Sequence, residues 1–97
     1  MAKDRYGRDQ LIEIKWRPRG DVDSLVTHVP TLFRKALDYR EITGRDAYVV
    51  LTVVVPGRTQ AIEESVEQLR TRLRATRDNW TLYVLTYDDI GLPAELR

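Results

Sequence analysis

A chain of 97 residues, 42% hydrophobic and 32% charged, has the make-up of one soluble domain, and a domain of this size buries only about two-thirds of the surface its unfolded chain exposes. Its 16 basic and 15 acidic side chains leave a net charge of +1, without the overall positive footprint of a nucleic-acid binder. The absence of cysteine excludes a disulfide framework, a thiolate nucleophile and cysteine-ligated zinc or iron–sulfur sites, and with His28 as the sole histidine a His-rich metal site is excluded too.

In chain order, residues 1–9 read as a polar N-terminal arm. Across residues 1–20, six basic groups (Lys3, Arg5, Arg8, Lys15, Arg17 and Arg19) face three acids (Asp4, Asp9 and Glu13), a local balance of six minus three, or +3. The start of the chain has no apolar core of a signal peptide, and the longest apolar run, "AYVVLTVVV", is too short to span a bilayer as a helix. A soluble, cytoplasmic protein is the expectation.

"LIEIKW" alternates, which predicts a half-buried strand with Ile12, Ile14 and Trp16 on one side and Leu11, Glu13 and Lys15 on the other. "RPRGD" ends it. From Ser24 to Ile42 apolar residues recur at helical spacing, with Pro30 either beginning the main helix or kinking it, so that residues 24–28 form a short separate turn, and with Gly44 as the C-cap. "DAYVVLTVVVPG" is β-branched and apolar on both sides, the pattern of a central strand. Thr59 is the expected N-cap of a second helix, whose Ile62, Val66, Leu69 and Leu73 form one apolar seam. "WTLYVLTY" is a third strand, and residues 88–97 read as a C-terminal tail without a clear element.

Strand, helix, strand, helix, strand predicts a two-layer βαβαβ α/β domain spanning 1–97. Its three-stranded, mainly parallel sheet has the order 1-2-3, with both helices on one face. The alternation assigns Ile12, Ile14 and Trp16, the odd residues of the central strand, and Trp80, Leu82 and Val84 to the helix side. The other face then carries Glu13, Lys15, Tyr48, Thr52, Thr81, Tyr83, Leu85 and Tyr87, more apolar and aromatic than an isolated monomer shows to water. Either a second chain covers it or the tail folds back over it through Ile90, Leu92 and Leu96.

The segment from "DQLIEIKW" through "YVVLT" to "LYVLTYDDI" resembles the second half of a restriction-endonuclease-like domain of the PD-(D/E)xK nuclease family. The resemblance covers residues 9–92, and its specific content is Glu13-Ile14-Lys15 together with the element order. It implies that Glu13 is a metal ligand, that Lys15 is the catalytic lysine orienting the attacking water, and that magnesium is the cofactor. The family takes its other acid from a preceding strand. Here only Asp4 and Asp9 precede Glu13, so Asp9 is the second candidate ligand.

Other signals are local. "VPGRTQ" joins a strand to a helix N-terminus beside Arg58, an ordinary strand-to-helix turn that lacks the glycines and lysine of a phosphate loop. Arg70, Arg72, Arg74 and Arg77 spread around a helix as a solvated face. The primary expectation is a homodimeric interaction or adaptor module with no cofactor, binding a protein partner through its open sheet face or an edge strand. Tyr48, Thr52, Thr81, Tyr83, Leu85 and Tyr87 are the expected contact residues. The alternative is a magnesium-dependent nuclease or a degenerate nucleic-acid-binding relative.

Overall fold

The computed structural model describes residues 2–3, 9–76 and 79–97. A short strand β1 (Ala2–Lys3) precedes β2 (Asp9–Trp16), a 3-10 helix (Val22–His28), α1 (Val29–Thr43), β3 (Ala47–Val55), α2 (Gln60–Thr76), β4 (Trp80–Thr86) and a last 3-10 turn (Ala94–Leu96). The sheet order is β1-β2-β3-β4, parallel throughout except for β1, which pairs antiparallel with Asp9 and Gln10. The predicted three-strand order 1-2-3 is therefore present as β2-β3-β4. Part of the expected polar arm is a fourth strand.

Central placement of β3 follows from its composition. Ala47, Val49, Leu51, Val53 and Val55 point into the core shared with both helices, which therefore lie on one face. Val50 and Val54 on the other face are buried as well, although among the described residues no second layer of helix or strand covers them. Their neighbours in the flanking strands, Ile12 and Thr81 beside Val50 and Trp16 and Leu85 beside Val54, shield them laterally.

The helices begin and end where local chemistry dictates. Pro30 stands in the first turn of α1, where a missing N–H costs nothing, and the 3-10 helix before it carries Val22 and Leu25 into the core. Gly44 ends α1 in the left-handed conformation (φ 73°), its N–H donating to the Arg40 carbonyl. Among the apolar positions of α1, Val29, Leu32, Phe33 and Ala36 are buried, whereas Leu37 and Ile42 stay exposed. Thr59 caps α2, its Oγ1 accepting from the Ile62 N–H at 3.2 Å. Ser65 of α2 donates to Asp23 Oδ1 and accepts from the Asp23 N–H, both at 2.6 Å, and so ties the helix to the 3-10 segment.

The orientation expected for β2 is reversed. Parallel pairing with β3 sets Leu11 beside Val49, Glu13 beside Leu51 and Lys15 beside Val53, all on the helix side. Ile12, Ile14 and Trp16 lie beside Val50, Thr52 and Val54 on the open side. The physical reason is register: a slip of one residue inverts every side chain of a strand, and β2's own alternation does not fix which side turns inward. α1 packs chiefly on β3 and the 3-10 helix. Over β2 the helix layer is therefore shallow, deep enough for Leu11 and the stems of Glu13 and Lys15, which are half-buried there.

The molecule's smallest extent is 19 Å, the thickness of one helix layer on one sheet. No described helix is long and apolar enough to cross a membrane.

Two glycines share a φ of +73° but not their surroundings. A Cβ on Gly20 would lie 2.5 Å from Ile62 Cγ1, whereas a Cβ on Gly44 would meet nothing within 4 Å. Gly44→Ala should cost only the left-handed backbone penalty, about 1–2 kcal/mol, and Gly20→Ala that penalty plus overpacking, about 2–4 kcal/mol in all. Urea unfolding of both variants checks the difference.

Candidate functional site

Glu13 and Lys15 lie side by side beneath the start of α1. With Leu25, His28, Thr31 and Lys35 they line a small cavity of about 50 Å³. Lys35, in the second turn of α1, donates from Nζ to Glu13 Oε1 at 2.7 Å. That hydrogen bond is the main reason the Glu13 carboxyl is held below its ordinary range; partial burial opposes the effect, and the nearby charges of Lys35 and Lys15 reinforce it.

Asp9, the other acid named by the resemblance, has a different environment. It is buried, accepts a hydrogen bond from the Tyr39 hydroxyl and lies 3.4 Å from Arg45 Nη2. Asp9 and Glu13 are four residues apart on one straight strand, so their backbones are separated by about 13 Å. Two carboxylates at that distance cannot share one magnesium ion, whose ligands stand about 2 Å from it. Each also has a protein cation as its neighbour. Asp4 lies outside the described residues, and among those described no three His, Asp or Glu side chains converge. The residues present do not fit the metal site that the resemblance implies.

The open face of the sheet is a second candidate. Reading across the strands, its rows are Ile12–Val50–Thr81, Ile14–Thr52–Tyr83 and Trp16–Val54–Leu85, with Gln10 and Tyr48 at one end. None of these side chains is charged. Ile12, Ile14 and Trp16 are 47%, 59% and 47% exposed, and Tyr83 is 54% exposed. The tail leaves them open: the chain turns over residues 87–91, and Leu96 stays exposed. Of the expected contact residues, Tyr83 is open to solvent and Thr52, Thr81, Leu85 and Tyr48 are half-buried. Tyr48 donates to the Trp80 carbonyl at 2.8 Å, and Tyr87 is buried in the chain with its ring tilted against Trp16. Ile12, Ile14 and Trp16, which the sequence reading had turned inward, are therefore the principal apolar groups of this face.

The two edges of the sheet differ. Along β3–β4 the ladder runs from the Val49 N–H on the Asn79 carbonyl to the Tyr87 N–H on the Val55 carbonyl, so the backbone groups of Trp80, Leu82, Val84 and Thr86 face outward. Side chains occupy a group of three of these four residues: Tyr48 at the Trp80 carbonyl, Arg58 Nη2 at the Val84 carbonyl (2.6 Å) and Asp89 at the Thr86 N–H (2.7 Å). Arg58, read from the sequence only as a neighbour of a helix start, closes this edge. On the other side Arg17 N–H donates to Val54, which turns the backbone groups of Gln10, Ile12, Ile14 and Trp16 outward. β1 covers Gln10, and Arg17 Nη1 reaches the Trp16 carbonyl at 2.9 Å. Among the described residues nothing pairs with Ile12 or Ile14.

Comparison with protein-family models, with curated proteins and with solved structures finds no match for this chain.

The Lys35–Glu13 pair makes a pH-dependent contribution. Because the folded carboxyl titrates below its unfolded value, the stabilisation is complete above the unfolded pKa near 4.5 and is lost as pH falls through the lower folded value. Both partners are partly exposed, so Lys35→Met should cost no more than about 1 kcal/mol at pH 7. Urea unfolding should show that difference constant above the unfolded pKa and shrinking toward zero as pH falls through the lowered folded value.

Proposed function

We propose that this chain is an interaction module that works as a homo-oligomer and presents the open face of its sheet to a protein partner. The observation that carries this reading is the uncharged face with Ile12, Ile14, Trp16 and Tyr83 half-exposed at its surface. Single exposed apolar side chains are ordinary, but a contiguous uncharged set on one flat, rigid layer is typical of a contact surface. Aromatic side chains and few charges also match the composition of interface centres.

A photo-crosslinking residue at Tyr83, p-benzoylphenylalanine expressed in the native host, tests it. A discrete adduct should form, should disappear when Thr52→Lys puts a charge at the centre of the face, and should be absent when the crosslinker replaces the exposed Arg72 on α2. Equal labelling from Tyr83 and Arg72 would remove the basis for the reading.

A second reading, a metal-dependent nuclease or its degenerate nucleic-acid-binding relative, draws on Glu13 and Lys15 lining one cavity. The Lys35 contact and the isolation of Asp9 favour the interaction module. Incubated with single- and double-stranded DNA and RNA, the purified protein should cleave none of them, with manganese or with chelator. Metal-dependent cleavage that disappears in both Glu13→Ala and Lys15→Ala would establish the nuclease instead.

A further inference from the structure

We infer that a second copy of this chain pairs antiparallel along the outer edge of β2, about a two-fold axis at Ile14, joining two sheets into one. The inference concerns the edge of the sheet and adds to the proposed role of its face.

Three observations meet on five residues. Among the described residues the edge offers unpaired backbone groups at Ile12 and Ile14, whereas on the β4 edge Tyr48, Arg58 and Asp89 each take a backbone group. The outward groups belong to the even residues Ile12, Ile14 and Trp16, so a two-fold that sets Ile14 opposite its own copy also sets Ile12 opposite Trp16 of the second copy, all as hydrogen-bonded pairs. The odd residues then meet in the closer, non-hydrogen-bonded positions, with Glu13 opposite Lys15 and Lys15 opposite Glu13. Opposite charges and β-branched residues facing aromatic ones are the favourable cross-strand pairs.

Charge also selects the register. Moving the two-fold by one residue in either direction sets Glu13 against Glu13 or Lys15 against Lys15, both repulsive. The axis at Lys15 would also set Glu13 opposite Arg17, but only together with the Lys15–Lys15 contact; of the three, the axis at Ile14 alone pairs unlike charges with no like pair. The ends are compatible with it: in this register Pro18 of the second copy would stand opposite Gln10, where β1 already sits, but the strand ends at Trp16 and the chain turns at Pro18–Arg19. The Trp16 carbonyl, which accepts from Arg17, keeps a second lone pair for the pairing.

A two-fold between antiparallel strands stands perpendicular to the sheet, so both helix layers fall on one side and both open faces on the other. The assembly therefore doubles the exposed apolar platform rather than burying it.

Two experiments test the pairing. The chain has no cysteine, and directly opposed residues of a hydrogen-bonded antiparallel pair have Cα atoms about 5.5 Å apart, within the span of a disulfide. Under mild oxidation Ile14→Cys should form a covalent dimer, whereas Thr52→Cys, central on the open face, should not. Preferential cross-linking at Thr52 would show that copies pack face to face and would overturn the edge. In the second experiment, Lys15→Glu alone and Glu13→Lys alone set like charges opposite each other, and each should weaken self-association about tenfold by sedimentation. Mixed together, these two variants set unlike charges at every position and should recover the wild-type affinity as a heterodimer. Failure of the mixture to recover, or a wild type that remains monomeric throughout the micromolar range, would overturn the inference. Neither result bears on the Tyr83 crosslink, since in this dimer the β4 strands are at the outer ends of the joined sheet.

Discussion

The parallel pairing of β2 with β3 is the constraint on which the rest of the molecule depends. β3 is bonded along both sides and apolar on both faces, so it has one stable place, the centre of the sheet. Once its odd residues face α1 and α2, the residue beside each of them in β2 must face the same way. Leu51 thereby draws Glu13 under the helix layer, and Val53 draws Lys15. Ile12, Ile14 and Trp16 are left on the uncovered side. The exposed apolar face and the buried-side charges are thus two consequences of one register.

That arrangement reverses the usual distribution, and its local chemistry shows why it is tolerated. The layer above β2 is shallow and opens to water at its rim, so a carboxylate there keeps hydration and gains Lys35 as a partner at little desolvation cost. Asp9 is deeper and is held by Tyr39 and Arg45 together. A buried carboxylate without such partners would be far more costly than either pair is beneficial. α1 therefore has two tasks: its Leu32, Phe33 and Ala36 fill the core, and its Lys35 and Tyr39 neutralise the polar side of β2.

Much of the fold was legible in the sequence because the signals were local. The β-branched run of β3, the Thr59 cap and the Gly44 end each depend on neighbours in the chain and are legible there; Pro30 marks either a start or a kink, and the structure makes it the start. The orientation of β2 was not legible, since its alternation separates two sets of side chains without saying which belongs inside. The more apolar set belongs inward in a strand covered along its whole length, and β2 is covered only in part. The partners of Glu13 and Asp9 are 22 and 30 residues away along the chain. Lys35 and Tyr39 carry the four-residue spacing that puts them on one side of α1, a signal that could have pointed to the matching spacing of Asp9 and Glu13 on β2. Arg58 and Asp89 at the β4 edge left no such trace, because an edge is defined only after the strands are ordered.

The same register gives Glu13 and Lys15 a role that needs no catalysis. Natural sheets protect their edges with short strands, covering side chains or inward-pointing charges, and this molecule uses a different device on each side. At β4 side chains take the Trp80 and Val84 carbonyls and the Thr86 N–H, which obstructs any added strand whatever its charges. At β2, among the described residues, the backbone between Ile12 and Trp16 stays largely open, and two opposite charges flank its midpoint on the inward side. A strand approaching that edge with the wrong charges meets repulsion at the closest side-chain positions, whereas one that brings a lysine to Glu13 and an acid to Lys15 is accepted. An antiparallel copy of "IEIKW" meets that condition, because two opposite charges placed evenly about a central residue become complementary when the strand is reversed. On this argument the Glu-x-Lys tripeptide discriminates among partners for the edge, and the specificity is carried by register and charge together.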